Sequence, residues 1–166
     1  VKVIDPDGNY TTTNYLQDQF TKGMVLAQAS YDAAGNLFNK AVNTWAIKTI
    51  MTGNVSVFPY LKKVDQYVYD GDASGKRSAQ EFFYDESPQY GNLTKTVQYG
   101  EVDLATGSDS PSNDKRTTET TYLNSTAPYI LGLPKQITIK DHLNNQLRQT
   151  SFYYDNHANL TDSPSK

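Results

Sequence analysis

The chain contains no cysteine, which removes disulfide frameworks, thiolate nucleophiles and cysteine-based zinc sites together. It also lacks any apolar run near the roughly 20 residues that a membrane helix needs. No basic stretch followed by an apolar one opens the sequence, so no signal peptide is legible in these residues. Charge of one sign is missing too: 15 Lys and Arg face 18 Asp and Glu, for a formal net charge of −3. A nucleic-acid footprint would need a basic patch, and the densest basic cluster, Lys62-Lys63, suits a solvated strand face. Long amphipathic helical periodicity is absent, and there are only two Met and one Trp.

What is present points to strands. Thirteen Tyr accompany abundant Thr, Val and Gln, residue types that fit a pleated, half-buried surface. At 166 residues the chain is expected to be a single segment, 1–166, with one domain's worth of core. It opens on strand-like Val1-Lys2-Val3-Ile4, without a Met, and stops after a turn phrase at Lys166. That is the pattern expected of a piece of a longer protein.

A short phrase recurs along the chain. It reads Tyr31-Asp32-Ala33-Ala34-Gly35-Asn36-Leu37, then Tyr84-Asp85 leading to Tyr90-Gly91-Asn92-Leu93-Thr94. It returns as Tyr154-Asp155-Asn156-His157-Ala158-Asn159-Leu160-Thr161. Looser copies start at Ile4-Asp5-Pro6-Asp7-Gly8-Asn9, at Tyr69-Asp70-Gly71 and at Lys140-Asp141. An apolar residue, an Asp, a few turn formers and a return to alternation describe a β-hairpin tip. Asp can bond the backbone of the turn, while Gly or Asn accepts the positive φ of a tight reversal. The structural turn residues expected from this pattern are Asp5, Gly8 and Asn9; Asp32, Gly35 and Asn36; Asp85, Gly91 and Asn92; Asp155 and Asn159.

Period-2 alternation between the tips predicts strands at Tyr10–Leu16, Val25–Asp32, Leu37–Ile50, Val64–Asp70, Ala79–Asp85, Leu93–Val102, Arg116–Leu123, Lys135–Lys140 and Leu147–Asp155. Thr118, Thr120 and Tyr122 share one predicted face, as do Ile137 and Ile139. The turn-rich stretch from Ala105 to Asp114 reads as a mobile hairpin loop. Residues Ser125–Leu131 read as a connector with one helical turn, closed by Gly132-Leu133-Pro134, which adds Gly132 and Pro134 to the expected turn residues. The fold class is therefore all-β: antiparallel hairpin repeats in a curved sheet.

The Tyr-Asp-x-x-Gly-Asn-Leu phrase resembles the YD repeats of the Rhs proteins, of the B components of bacterial toxin complexes and of the teneurins. Tyr90-Gly91-Asn92-Leu93-Thr94-Lys95 and Ile130-Leu131-Gly132-Leu133-Pro134-Lys135-Gln136-Ile137-Thr138-Ile139 sharpen the resemblance toward the toxin-complex and virulence-plasmid B type. It runs from about Asp5 to Thr161. It implies an arc of a hollow, spiralling shell, secreted or at a bacterial cell surface, that encloses a C-terminal polypeptide. Neighbouring repeats of the same shell would be its partners. The chain shows neither a self-cleaving aspartyl-protease-like segment nor a toxin payload. Ala158 replaces Gly in the last copy, and the spacing of the copies is irregular.

Catalytic and metal readings fare poorly against that scaffold. Asp5-Pro6-Asp7-Gly8-Asn9 offers oxygen ligands for calcium, but the position where an EF-hand loop needs Glu is Leu16. His142 and His157 follow turn Asp residues, whereas a Ser-His-Asp mechanism needs an oriented His and a nucleophile on a strained turn; no Gly-x-Ser-x-Gly elbow occurs. No enzyme, metal or cofactor is expected. Five Asn-x-Ser/Thr sequons (Asn9, Asn54, Asn92, Asn124, Asn159) are explained mainly by the turn phrase. The competing reading is a glycan- or protein-binding module whose aromatic sheet face carries Tyr67, Tyr69, Tyr84, Tyr99, Tyr122 and Tyr153. Cross-strand pairing, worth roughly 0.2–1 kcal/mol per pair, accounts for such rings more simply. An excised sheet also exposes edge strands, so an edge-to-edge homo-oligomer is expected.

Overall fold

The computed structural model describes residues 1–51, 56–70, 74–86, 90–110, 113–126 and 129–154. Those residues form ten antiparallel strands and no helix: β1 (Lys2–Ile4), β2 (Tyr10–Tyr15), β3 (Val25–Tyr31), β4 (Leu37–Met51), β5 (Ser56–Val68), β6 (Lys76–Tyr84), β7 (Leu93–Val102), β8 (Arg116–Thr126), β9 (Tyr129–Lys140) and β10 (Gln146–Ser151). Strand order in the sheet follows chain order from β1 to β10. The all-β, antiparallel reading of the sequence is therefore correct. Two compact units are distinguishable, Val1–Glu81 with Tyr99–Ser112, and Phe82–Gln98 with Asn113–Lys166.

In the first unit, β4 and β5 are the longest ladder. It runs from Asn39↔Val68 to Met51↔Ser56, with bulges between Thr44 and Trp45 and between Thr49 and Met51. Strand β5 starts eight residues before the Val64 that alternation predicted. Pro59 and Lys62-Lys63 blur its pattern, but β6 pairs only with Lys63–Val68. Pro59 thus lies where β5 is laddered to β4 alone among the described residues, an edge-like position that tolerates a missing N–H. The bulge at Trp45 is held from β3, because the Trp45 Nε1 and Asn43 Nδ2 both donate to the Val25 carbonyl at 2.9 Å.

In the second unit, β8 and β9 pair from Thr117↔Lys140 to Thr126↔Tyr129. The face expected to carry Thr118 and Thr120 meets Ile139 and Ile137 across the ladder. Here the predicted connector is corrected: Ser125 and Thr126 close β8 and Tyr129–Leu131 opens β9. Gly132 and Pro134, expected to close a turn, lie inside β9. Register shifts between Thr121 and Tyr122 and between Leu123 and Ser125 make room for them. Bulges are where a strand accepts Gly and Pro, and Gly132 takes φ 75°. Its N–H is held by Asn124 Oδ1 at 2.8 Å.

Few side chains are deeply buried. Among the described residues the buried apolar ones are Ala29, Ala79, Val97 and Val102, and no large side chain is fully buried. Cohesion must come from ladders and cross-strand pairs rather than from a thick core. The strongest such cluster lies on one face of β5 and β6. Asp65, only 5% exposed, accepts from Arg77 Nε at 3.0 Å and Nη2 at 2.8 Å, and from Lys63 at 3.3 Å. Arg77 also reaches the Leu104 carbonyl at 3.4 Å and lies over the Tyr67 ring at 5.1 Å. Register places Tyr67 opposite Arg77 and Lys63 opposite Glu81, on the same face as Asp65.

Removing one member of a buried pair strands the other charge. Arg77→Met should therefore destabilise the chain by about 3 kcal/mol, read as a lower urea midpoint. The exposed pair Lys76–Glu101 (3.0 Å) should contribute under about 1 kcal/mol in the same assay.

Candidate functional site

The repeated phrase folds into repeated geometry. At Asp5, Asp32 and Asp141 the Asp N–H donates to the carbonyl of the residue four positions on, Asn9, Asn36 or Asn145, at 2.9–3.0 Å. The residue before each of those Asn donates back to the Asp carbonyl at 3.1 Å: Gly8, Gly35 and Asn144. The carboxylate then closes the loop. Its Oδ1 accepts the Asn backbone N–H at 2.9, 2.7 and 2.9 Å, and its Oδ2 accepts the Asn side-chain amide at 3.1, 2.7 and 3.1 Å. The fourth loop position has φ 87° at Gly8, 89° at Gly35 and 66° at Asn144. Gly suits that conformation, and Asn is the side-chain-bearing residue that best tolerates it. Asp for its two acceptor oxygens and Asn for its backbone and amide donors make one reciprocal clamp.

A wider tip uses the same Asp. Asp85 N–H donates to Asn92 O at 3.0 Å, while Tyr90 N–H donates to Asp85 Oδ2 at 3.1 Å and Gly91 N–H to Oδ1 at 3.0 Å. Gly91 has φ 78°. Asp155 and Asn159 lie outside the described residues, as does His157.

Two clamps escaped the sequence reading. Asp103 Oδ1 accepts the Thr106 N–H at 2.6 Å and its hydroxyl at 2.7 Å, and Gly107 N–H donates to Asp103 O at 2.8 Å. The predicted mobile loop therefore begins as a pinned turn, followed by a bridge between Val102 and Asp109. A Cβ on Gly107 (φ 71°) would fall 2.6 Å from Arg77 Cζ, so that turn rests on the guanidinium. Asp18 accepts from Phe20 and Thr21 N–H at 3.0 Å and from the Thr21 hydroxyl. Thr at Asp+3 was the available signal in both cases.

At four of these turns the bonds favour the ionised carboxylate. The Asn36 side-chain amide holds the Asp32 carboxyl below its ordinary value, and the Asn145 amide does the same for Asp141. Bonds from Thr106, backbone first, lower Asp103, and the Thr21 hydroxyl lowers Asp18.

In the first unit Tyr67 stacks on Tyr69, centroids 6.3 Å apart and planes within 3°. Tyr99 donates its phenol to Glu81 Oε2 at 3.0 Å. Desolvation, then that bond, pushes the Tyr99 phenol up to about 12. In the second unit Tyr122 donates to the Leu93 carbonyl at 2.9 Å, and burial raises its phenol as well. Tyr84 and Tyr122 both line an open cavity of about 660 Å³. Tyr153 is 57% exposed. A further aromatic contact lies in the first unit: Tyr10 stacks on Tyr31 across the β2–β3 ladder at 4.7 Å, with Lys2 Nζ 3.6 Å above the Tyr10 ring. Among the described residues no three His, Asp or Glu converge on a metal-sized site.

The chain was compared with known proteins. No family model matches it, and no curated protein does. Among solved structures it is similar to the crystal structure of TcdB2-TccC3 without its hypervariable C-terminal region. The identity is 14% over 73% of this chain and 7% of that one, with a TM-score of 0.54. At that identity the likeness is one of fold, and the chain spans only a small part of the longer protein's length.

Two measurements test the clamps. Gly35→Ala forces an L-residue into φ 89° and should cost more than about 1 kcal/mol in urea unfolding, whereas Asn144→Gly should be neutral or slightly stabilising. Folding depresses the Asp32 and Asp141 carboxyls, so their contribution is complete above the ordinary value of 3.8 and is lost as pH falls below it. Tyr99 has the opposite sign: its contribution is present below pH 10.0 and disappears as pH rises toward about 12. A pH series of thermal unfolding should show both flanks, and Asp32→Ala with Asp141→Ala should flatten the acid one.

Proposed function

We infer that the chain is a non-catalytic wall segment of a YD-repeat shell, nearest to the B component of bacterial toxin complexes and the virulence-plasmid B type. In this reading residues 1–166 act as one sheet segment of a larger, secreted or cell-surface shell. The neighbouring repeats of the shell continue the ladder, and the wall helps to enclose a C-terminal polypeptide. Its turn residues set hairpin length, and its role is mechanical.

The observation that carries the reading is the recurrence of one clamp at three tips, β1–β2, β3–β4 and β9–β10, of a sheet whose strand order is chain order. Such a sheet grows by adding hairpins, and its terminal strands invite the next ones. The fold likeness to a small part of TcdB2-TccC3 supports the same reading. The tyrosine-face alternative is weakened by the phenols of Tyr99 and Tyr122, which are engaged by Glu81 and by a backbone carbonyl.

Strand β1 gives the reading its test. Val1 exchanges both backbone bonds with Thr13, and Asp5 N–H bonds Asn9. By alternation Lys2 and Ile4 turn their N–H and C=O groups away from β2. Val1, Val3 and Ile4 are 74%, 64% and 61% exposed, an edge that pairs readily with another chain. Sedimentation across a concentration series should show self-association with a β-rich far-UV spectrum. Ile4→Pro, which removes an outward N–H, should weaken that association. A chain that stays monomeric at high concentration, with or without Ile4→Pro, would count against the wall-segment reading.

A further inference from the structure

The turn from Asp103 to Asp109 closes on itself. Asp103 Oδ1 holds the Thr106 N–H and hydroxyl at 2.6 and 2.7 Å, and Asp103 N–H donates to the Ser108 carbonyl at 2.9 Å. Gly107 N–H returns to the Asp103 carbonyl at 2.8 Å, and the two ends meet in the Val102–Asp109 bridge. The turn lies against the Asp65–Arg77 pair, whose side chains are 8% and 11% exposed. We propose that this turn is a strap closed over the Asp65–Arg77 pair, which lifts as a body and admits water to the guanidinium while β5 and β6 stay paired.

The strap meets the sheet at the Arg77 guanidinium. The Leu104 carbonyl accepts from Nη1 at 3.4 Å. A Cβ on Gly107 would fall 2.6 Å from Cζ and Nη2 and 2.7 Å from Nη1. The Gly107 backbone therefore lies against the guanidinium with no room for a side chain. The arginine divides its donors accordingly. Nε and Nη2 hold Asp65 at 3.0 and 2.8 Å, whereas Nη1 serves the strap. Lifting the strap breaks the longest and weakest of these three bonds and leaves the ion pair intact.

The strap is also the part that should open before the ladder beside it. Asp103, Ala105, Thr106, Ser108 and Asp109 are exposed. Local opening begins where hydrogen bonds face solvent and few apolar side chains are buried. Asp65 and Arg77 sit instead on the β5–β6 ladder, which runs from Lys63↔Glu81 to Val68↔Lys76. Buried Ala79 stands opposite Asp65 in that ladder. The guanidinium is thus a gated cation. Under the closed strap it is purely structural; under the lifted strap it offers Nη1 to an outside acceptor. The inference does not depend on the wall reading, since every group in it belongs to the first unit.

Hydrogen exchange of the full chain, followed by NMR, tests the strap. Two protons report its two sides: the Gly107 amide, bonded to the Asp103 carbonyl, and the Arg77 Nε–H, bonded to Asp65. Asp103→Ala removes the carboxylate that pins Thr106 and leaves both of those bonds in place. It should speed exchange of both protons by about ten-fold or more, the effect of losing bonds to a charged group. Amides of Lys63–Val68 and Lys76–Glu81 should change by less than about two-fold. Gly107→Ala, which wedges the strap off the guanidinium, should speed the Arg77 Nε–H in the same way. Faster Gly107 exchange beside an unchanged Arg77 Nε–H would mean that the turn covers nothing, and would overturn the proposal. Equal acceleration along the β5–β6 ladder would show general loosening rather than a strap, and would overturn it too. No acceleration of either proton would do the same, because the carboxylate would then not be holding the turn.

Discussion

A hairpin's register is decided at its tip, and in this chain one carboxylate makes the decision. The two oxygens of Asp5, Asp32 and Asp141 each take a backbone N–H and an amide N–H from the Asn four residues on. That closes a loop of fixed length between two strands. A slip of one residue would turn every side chain of the following strand to the other face. Fixing loop length therefore fixes which residues face each other far from the tip. The alignment of Asp65 with Ala79 and of Tyr67 with Arg77 depends on register, and so does the stacking of Tyr10 on Tyr31.

Register matters more here than in a protein with a thick core. With only small or medium side chains buried, area burial cannot hold the strands, and specific pairs must. The Asp65–Arg77 pair is the clearest case, because its burial makes it costly to break. It also recruits the Asp103 turn through the Leu104 carbonyl and the close approach of Gly107. A turn clamp and a sheet-face ion pair thus become one unit. Tyrosine fits this economy. Its ring covers neighbouring strands while its hydroxyl closes a hydrogen bond, as at Tyr99, Tyr122 and Tyr154, whose phenol donates to the Pro134 carbonyl at 2.7 Å.

Where register is deliberately broken, the sheet changes character. The bulges of β8 and β9 admit Gly132 and Pro134 without ending either strand. The described β7–β8 ladder ends at Lys95↔Glu119, and both of those residues line a cavity. Regular tips propagate the sheet, and irregular ladders give it local features that a uniform wall would lack. Both follow from the same rule: a backbone group that loses its ladder partner must find another.

How much was legible beforehand follows this division between local and non-local bonds. The Asp-to-Asn phrases marked hairpin tips because every partner in the clamp lies within five residues, so Asp32, Gly35 and Asn36 announce their geometry in sequence. Period-2 alternation located most strands and the all-β class for the same reason. The Asp103 clamp was less visible, since Thr106 replaces the Asn. Long-range partners left no local trace. Nothing around Asp65 says that Arg77 will neutralise it, because the pair exists only once β5 and β6 are in register. Gly132 and Pro134 read as breakers until β8 supplies the bulges that absorb them. Local chemistry determined the tips and the strands; pairing between distant strands decided burial and the ion pair.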